Sequence, residues 1–318
     1  MVQVDPSVVR DDGLDHDEEI ALKNATLSWT EDESPVLKDV NLSVRKGELI
    51  AVVGSVASGK SSLVQAIIGE MKPSTGSIHR RRTSRLAYVP QQAWILNNTI
   101  RRNILFDQPH QKSVYQEVVQ KCCLMPDLKT LPAGDGTEIG EKGVNLSGGQ
   151  KQRVSLARAV YQDADVYLLD DPLSAVDAHV AYSLFTDVIG PEGLLRDKTR
   201  LLVTHSVAIL PKVDRIVILD DGRITHQGTY DDIMRSNVRL KELIETHANT
   251  EVDDIPLSAY DQGEYTNVKA EIADRVSLGI KHENNLPRIR QRTTSTASIS
   301  STGSGASRVE QHFSEIPS

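Results

Sequence analysis

The chain has 318 residues, 39% of them hydrophobic and 25% charged, which is ordinary for a globular protein with one sizeable core and additional segments. Its net charge of −8 argues against a nucleic-acid partner, and its low aromatic content, 4%, disfavours a surface that stacks on single-stranded bases. The sequence lacks the run of about eighteen apolar residues that would predict a membrane-spanning helix.

The two ends of the chain differ from its middle. Residues 1–18 are polar and acidic and are predicted to form a linker. Beyond residue 249 the apolar periodicity is lost and Ser, Thr and Gly become frequent, so 249–318 is predicted to be a largely disordered linker with a transient helix over Val268–Leu278. The folded domain is therefore expected within residues 19–248.

The first part of this domain has the pattern of β structure. Apolar residues alternate over Ile20–Trp29 and over Val36–Val44, with turn residues between the two segments, which predicts an antiparallel β portion. The continuous apolar run Leu49–Val53 then predicts a buried strand. An α/β core is expected to begin at this strand.

A phosphate-binding loop follows the buried strand. Residues 54–61 read GSVASGKS, a complete GxxxxGK[ST] pattern, and a helix-like stretch comes next. Backbone N–H groups of such a loop and the positive end of the helix point at a phosphate. Lys60 is expected to reach the terminal phosphates, and the Ser61 hydroxyl is expected to ligate Mg²⁺. The predicted nucleotide ligands are Gly54, Ser55, Val56, Ala57, Ser58, Gly59, Lys60, Ser61 and Ser62.

Strands and helices alternate through the remainder of the domain. The predicted strands are Ala87–Val89, Val166–Leu169, Thr199–Thr204, Val213–Leu219 and Arg223–His226. The predicted helices are Ile100–Phe106, Ser113–Cys123, Gly148–Tyr161, Ala178–Ile189, Tyr230–Arg235 and Arg239–His247. This order predicts a mostly parallel sheet that binds its nucleotide at the carboxyl ends of the strands.

Two further motifs belong with the phosphate loop. Residues 146–150 read LSGGQ, and the apolar run that begins at Val166 ends in the carboxylate pair Asp170 and Asp171. A buried carboxylate at a strand end needs a cation, so Asp170 and Ser61 are predicted to hold Mg²⁺ together.

With these motifs, the chain from about Ile20 to His247 resembles a nucleotide-binding domain of sub-family C of the ABC transporters. The match is closest to the first such domain of the multidrug resistance-associated proteins, which export organic anions and conjugates. Further runs that carry it are AYVPQQAWI at 87–95, NILF at 103–106, TEIGEKGVN at 137–145 and DDPLSAVDAHV at 170–180. The resemblance implies an α/β P-loop NTPase fold of the ABC type, with an antiparallel β subdomain and a helical subdomain that carries the signature LSGGQ.

The resemblance also implies roles for individual residues. Trp29 is expected to stack on adenine, for which a flat indole offers an apolar face. Gln91 is expected to contact Mg²⁺ and the attacking water, and His205 the γ-phosphate. The signature residues Ser147, Gly148, Gly149 and Gln150 are expected to close over ATP that a second nucleotide-binding domain holds.

Asp171 departs from the usual pattern of the wider family, in which Glu serves as the general base after the strand-end Asp. The shorter side chain withdraws the carboxylate by about 1 Å, and a misplacement of that size can cost roughly a hundredfold in rate. The first domain of this sub-family shares the Asp. The site is therefore expected to bind ATP well and to hydrolyse it slowly.

The partners implied by the resemblance are a second nucleotide-binding domain, in a head-to-tail ATP sandwich, and the transmembrane domains of a parent exporter. The TEIGEKG run is similar to the loop that contacts those domains, which would place this chain at the cytosolic face of a membrane. The alternative is an ATP-gated regulatory module of a channel or receptor with little turnover. A soluble cassette protein that acts on ribosomes or DNA is disfavoured by the net negative charge. Arginines before 293–295 form a kinase-type pattern.

Overall fold

The structure, a computed structural model, describes residues 8–30, 32–140 and 144–236, and its described strands form three sheets. The strands are β1 Val9–Arg10, β2 Glu18–Ser28, β3 Leu37–Arg45, β4 Leu49–Val53, β5 Lys72–Arg80, β6 Leu86–Val89, β7 Asn98–Thr99, β8 Glu138–Ile139, β9 Val166–Asp170, β10 Thr199–Val203, β11 Arg215–Asp220 and β12 Arg223–Gly228. The helices are α1 Lys60–Ile68, α2 Ile100–Leu105, α3 Lys112–Lys121, α4 Met125–Thr130, α5 Gly148–Tyr161, α6 Ala178–Leu184 and α7 Tyr230–Ser236.

A six-stranded sheet forms the centre of the domain, in the order β12-β11-β4-β10-β9-β6. Its pairs are parallel except for β11–β12, which is antiparallel. Strands β4, β9 and β10 are buried at every residue, as expected of parallel strands that are covered on both faces. This architecture confirms the predicted α/β fold of the P-loop type.

The central sheet separates two apolar cores, because alternate residues of each strand point to opposite faces. On β4, Leu49 and Ala51 join the core that also contains residues of α3, α5 and the π-helical turn Phe185–Ile189. Ile50 and Val52 point the other way, into the core shared with α1 and the β subdomain. One face of this sheet therefore packs against helices such as α3 and α5, and the other packs against α1 and the β subdomain.

The β subdomain is a four-stranded sheet in the order β1-β5-β2-β3, in which β2 is antiparallel to both β3 and β5. The predicted antiparallel portion is thus confirmed, but β5 was not predicted. Along β5 only Ile78 and His79 are buried, so its sequence lacks the apolar alternation that marks a strand. Strand β1 lies inside the predicted acidic linker and pairs with β5 through Val9 and Ile78.

The helices α2–α5 and the small β7–β8 sheet form the predicted helical subdomain. Helix α5 has the predicted bounds and begins with a capping box, in which the side chains of Ser147 and Gln150 each bond the other residue's backbone N–H. The predicted helix over 178–189 is divided, since α6 ends at Leu184 and the π-helical turn continues it.

Some predictions fall outside the described residues. They are the helix over Arg239–His247, the transient helix over Val268–Leu278 and the linker over 249–318. In the described parts of the chain, no helix has both the length and the hydropathy needed to cross a membrane.

Candidate active site

Strand register brings the predicted site residues to one edge of the central sheet. Val203 of β10 lies level with Val52 of β4 on one side and with Asp170 of β9 on the other. Leu169 of β9 lies level with Val89 of β6. The strands are parallel, so the residues that follow them share one edge. These are the loop from Gly54, the Asp171 turn, Gln91 and His205.

The phosphate loop connects β4 to α1 in a tightly turned backbone. Ala57 and Gly59 have left-handed φ angles of 65° and 102°. Gly54 lies so close to the neighbouring strand β11 that a Cβ atom would come within 2.1 Å of the Leu219 carbonyl oxygen. Ser55, Val56 and Ala57 form the exposed tip of the loop, and Ser62 follows in the first turn of α1.

Lys60 is buried at the start of α1, with 7% of its surface exposed. Its Nζ donates hydrogen bonds to the carbonyl oxygens of Gly54 and Ser55, both at 2.8 Å. Burial lowers the pKa of Lys60 from its ordinary value, and the nearby carboxylates of Asp171 and Asp170 oppose this shift. The ammonium group is therefore held over the loop by carbonyl groups, and an anion there would stabilise its charge.

The donor groups of the loop show whether a polyphosphate fits it. Phosphate oxygens, which accept hydrogen bonds, have the chemistry that the loop N–H groups and the Lys60 ammonium require. The Ser58 hydroxyl is not among these donors. Its Oγ is closed off from solvent, 2.7 Å from where a Cβ atom of Gly54 would lie, and it is part of the packing of the loop.

Ser61 and Asp170, two of the three residues predicted to hold Mg²⁺, lie in contact with each other. The Ser61 Oγ donates a hydrogen bond to Asp170 Oδ1 at 3.1 Å. Burial raises the pKa of Asp170, whereas this hydrogen bond lowers it. A divalent cation would relieve the cost of an ionised carboxylate in this place. Across residues 8–236, apart from the undescribed positions 31 and 141–143, no group of three or more His, Cys, Asp or Glu side chains could hold a metal. Mg²⁺ suits such a site, since it binds through one or two protein groups and phosphate oxygens.

Asp171 begins a turn at the end of β9. It has a left-handed φ of 50°, and its backbone N–H donates to the Val203 carbonyl at 3.0 Å. Its side chain is buried, while His205 and Gln91 are exposed at the same strand edge. The structure thus brings together the three residues predicted to be catalytic. Their roles remain predictions.

Trp29 lies in the β subdomain, directly beyond β2, and 43% of its surface is exposed. Two residues earlier, Leu27 pairs with Leu37, and Leu37 reaches to 3.2 Å from the position of a Cβ on Gly59. This end of β2 therefore lies beside the phosphate loop. An exposed indole at this position is available to a purine ring.

The signature residues lie at an exposed helix start, where the Gln150 side chain contacts Asp127. Ser147 and Gly148 are exposed, and a Cβ atom on Gly148 would meet no atom within 4 Å. The Gln150 amide donates to Asp127 at 2.9 Å, and Asp127 forms an ion pair of 2.7 Å with Arg153. The Gln150 side chain is thus committed to the helix start, which sequence reasoning did not foresee because Asp127 lies far away in the chain.

Sequence reasoning also missed a set of contacts that supports the phosphate loop. The turn between β11 and β12 contacts the loop through the Gly222 N–H, which donates to the Ser58 carbonyl at 2.9 Å. Asp220 accepts a long hydrogen bond of 3.5 Å from Ser55 Oγ, and Asp221 pairs with Lys38 of β3 at 2.8 Å. Asp221-Gly222 is a recognisable turn dipeptide, but its contact with the loop depends on the order of the strands.

Comparisons with known proteins agree with this geometry. A family model described as ABC transporter matches residues 37–174, from β3 to the turn after Asp171. ATP-binding cassette sub-family C member 3 of Rattus norvegicus is 49% identical over 249 residues, which cover 78% of this chain and 16% of the relative. ATP-binding cassette sub-family C member 2 of Homo sapiens is 44% identical over 304 residues, which cover 92% of this chain and 19% of the relative.

A third match has a similar level of identity. ABC transporter C family member 8 of Dictyostelium discoideum is 50% identical over 242 residues, 76% of this chain and 15% of the relative. The chain spans less than a fifth of the length of the relatives it matches. The fold, the phosphate loop, the signature and these matches agree, and the chain belongs to the ABC transporter family as an ATP-binding domain of its sub-family C.

Proposed function

We propose that this domain binds Mg²⁺ and ATP at the edge formed by the phosphate loop, and that it hydrolyses ATP slowly. The buried Lys60 ammonium carries the proposal, because the Gly54 and Ser55 carbonyl oxygens hold it over the loop and an anion there would stabilise its charge. Ser61, Asp170 and Gln91 would hold Mg²⁺, which when bound neutralises phosphate charge and orients the terminal phosphate. Trp29 supplies the face for adenine.

Different residues have different roles in the proposed hydrolysis. The Asp171 carboxylate orients and deprotonates the attacking water, and His205 contacts the γ-phosphate. Asp171 is rigidly placed by its turn and is one methylene shorter than the usual Glu, so the water is imperfectly positioned and turnover is slow.

A second nucleotide-binding domain completes the site in this proposal. The support is the open space at Gly148 and the exposed Ser147 at the N-terminus of a helix of 14 residues. Such a helix end favours an anion through its free N–H groups and its dipole. The phosphate that it meets belongs to ATP held by the partner domain, in a head-to-tail sandwich.

The wider role follows from the relatives and is also a proposal. The domain is the first nucleotide-binding domain of an exporter for organic anions or conjugates, at the cytosolic face of a membrane, and 249–318 links it to the second transmembrane domain. The arginines that precede residues 293–295 support a proposed kinase site at this segment, which lies outside the described residues. Asp171 fits equally an ATP-gated regulatory module with little turnover, and the identity of the partner separates the two.

The test compares binding with turnover in the 318-residue chain. Mg-ATP affinity, measured by calorimetry, is expected to be independent of protein concentration, whereas turnover per chain is expected to rise with it because a second signature is needed. Asp170→Asn should weaken Mg-ATP binding severely and leave binding of Mg²⁺-free nucleotide less affected. Fast turnover by a strictly monomeric sample would contradict the two-domain site. Absence of Mg-ATP binding would contradict the proposal as a whole.

A further inference from the structure

We propose that Gln152 is a positioning residue that couples Gln91 to the signature segment, residues 146–150. The Gln91 loop, residues 90–96, leaves β6 at the ligand edge, and α5 carries the signature segment at its N-terminus. Hydrogen bonds from α5 hold this loop at two places. The inference rests on the proposed binding of Mg-ATP near Gln91. It identifies Gln152 as the residue that transmits the effect of this binding to the signature segment.

The first attachment lies directly beside Gln91. Gln152 is a polar residue with only 2% of its surface exposed, in the first half of α5. Its Nε2 donates a hydrogen bond to the Pro90 carbonyl oxygen at 3.2 Å. This carbonyl belongs to the peptide group that leads into Gln91. A shift of Gln91 toward a bound ligand therefore acts on the acceptor of the Gln152 amide.

The second attachment holds the far end of the Gln91 loop. Arg158, in the C-terminal half of α5, donates to the Trp94 carbonyl at 3.2 Å, and its guanidinium carbon lies 3.8 Å from the centre of the Trp94 ring. Burial lowers the pKa of Arg158 to about 10. The same guanidinium bonds the backbone and side-chain oxygens of Asn103 at 2.7 and 3.0 Å.

Asn103 extends this second attachment to the end of the loop. Its side chain is fully buried, accepts from the Leu96 N–H at 2.8 Å and donates to the Leu96 carbonyl at 3.0 Å. Residues 94–96 are therefore fixed to α5 and α2 by several bonds. In contrast, Gln91 itself is exposed between the two attachments.

The two attachments have different consequences because of their positions on α5. Gln152 lies five residues after Ser147, which corresponds to about 7.5 Å along the helix axis. Arg158 lies a further six residues away, close to the end of the helix. The Gln152 amide is thus the short connection between Gln91 and the signature segment, and a helix of 14 residues moves largely as one body over that distance.

The experiment measures hydrogen exchange of the full chain with and without saturating Mg-ATP. In the unaltered chain, ligand is expected to slow exchange in the phosphate loop, in the Gln91 loop and in residues 146–153. In Gln152→Met, which keeps the side-chain length but removes the amide, the first two responses should remain. The response of 146–153 should fall to within about twofold of the ligand-free rates. Mg-ATP affinity at the phosphate loop should stay within about twofold of the unaltered chain.

Gln162→Met is the matched control. The Gln162 amide donates to the Leu105 carbonyl at 3.3 Å, a similar bond at the other end of α5 that does not involve the Gln91 loop. This variant should retain all three responses. Gln152→Glu also lacks the donor at neutral pH, and it should behave as Gln152→Met does.

Each other result overturns the inference. Gln152→Met with a normal response at 146–153 would show that the amide carries no coupling, and loss of the response in Gln162→Met as well would show a general effect of helix stability. Failure of both Gln152 variants to fold would make the residue structural. If the unaltered chain binds Mg-ATP without a response at 146–153, this inference fails and the proposed function stands. If it does not bind Mg-ATP, the proposed function fails first.

Discussion

The phosphate loop and the signature segment both lead through glycines into a helix, yet the fold supports them in opposite ways. The phosphate loop is enclosed, with Ser58 and Lys60 buried and the Leu219 carbonyl against Gly54. The signature segment is open, with Ser147 exposed and free space around Gly148. The first region is shaped for a ligand within this chain. The second presents a helix end outward, which supports the proposal that a partner domain completes it.

The difference has a physical basis in what each region contacts. The phosphate loop is held by main-chain groups of the β11–β12 turn and by its place between parallel strands. The signature segment is held by side chains, through the capping box and the Asp127 contacts. Main-chain support makes the loop tolerant of surface changes, whereas side-chain support makes the signature sensitive to single substitutions far from it.

Lys60→Met should have the largest effect on the enclosed region. It removes charge-assisted hydrogen bonds to phosphates, worth about 1.5–3 kcal/mol each, so two of them correspond to at least a 100-fold loss of affinity. Calorimetry with Mg-ATP measures the loss. Lys46→Met, at an exposed lysine in the turn before β4, is the control and should bind normally. Equal affinity of the two variants would contradict the role of Lys60.

Gly148→Asp should act on the open region. The free space around Gly148 admits the side chain, so the fold and the Mg-ATP affinity of this chain should be unchanged. In an assembled transporter, the added negative charge should reduce turnover at the partner's nucleotide site by roughly 100-fold, because it opposes the triphosphate. Gly148→Ala tests size without charge and should be milder. Reduced Mg-ATP binding by the isolated chain would contradict this difference between the two regions, because it would show that Gly148 affects the phosphate loop of its own chain.

Asp171→Glu should accelerate hydrolysis at the phosphate loop of this chain by about 10- to 100-fold, because it restores the missing methylene. Nucleotide trapping resolved by domain in an assembled transporter measures the change. Asp171→Asn keeps the length of the side chain but removes the base, and it should abolish the residual turnover. Unchanged turnover in Asp171→Glu would show that the length of the carboxylate does not limit the site.

Asp170→Asn should stabilise the domain without ligand at neutral pH. Burial raises the pKa of Asp170, so the free energy of unfolding of the unaltered chain falls as the pH rises from the ordinary aspartate pKa to the raised one. Above that pH range the unaltered chain bears the full cost of burying an ionised carboxylate, and the variant does not. A gain of about 1 kcal/mol would raise the melting temperature by roughly 2–4 °C. The gain should vanish at a pH below the ordinary pKa, and Mg-ATP should add little stability to the variant.

Gln150→Met should have the smallest effect. It removes the Gln150 half of the capping box and the bond to Asp127 but keeps the Ser147 cap, so the loss of stability should lie at or below the lower end of the about 0.5–2 kcal/mol that loss of an N-cap residue costs. Thermal unfolding measures this cost. Mg-ATP affinity should not change, because the Gln150 side chain is committed to the helix start. An affinity loss of more than about tenfold would indicate that Gln150 serves the phosphate loop of its own chain.

Short sequence patterns were sufficient to locate the motifs whose residues are contiguous in the chain. The phosphate loop, the LSGGQ helix start and the carboxylates after β9 were all located from contiguous residues, and the structure places them on the predicted elements. The β4 strand was predictable because its five residues are all apolar. Strand β5 was not, since only two of its nine residues are buried and it is stabilised by pairing with β2 on one side and β1 on the other.

The sequence by itself determined the family, the α/β class and the candidate ligand-binding residues, because those depend on short motifs with fixed spacing. Only the tertiary structure decided which distant groups support them. The contacts of Gly222 with Ser58, of Asp127 with Gln150 and of Gln152 with Pro90 join segments that are far apart in the chain. Such contacts depend on strand order and helix packing, which no local pattern of residues encodes.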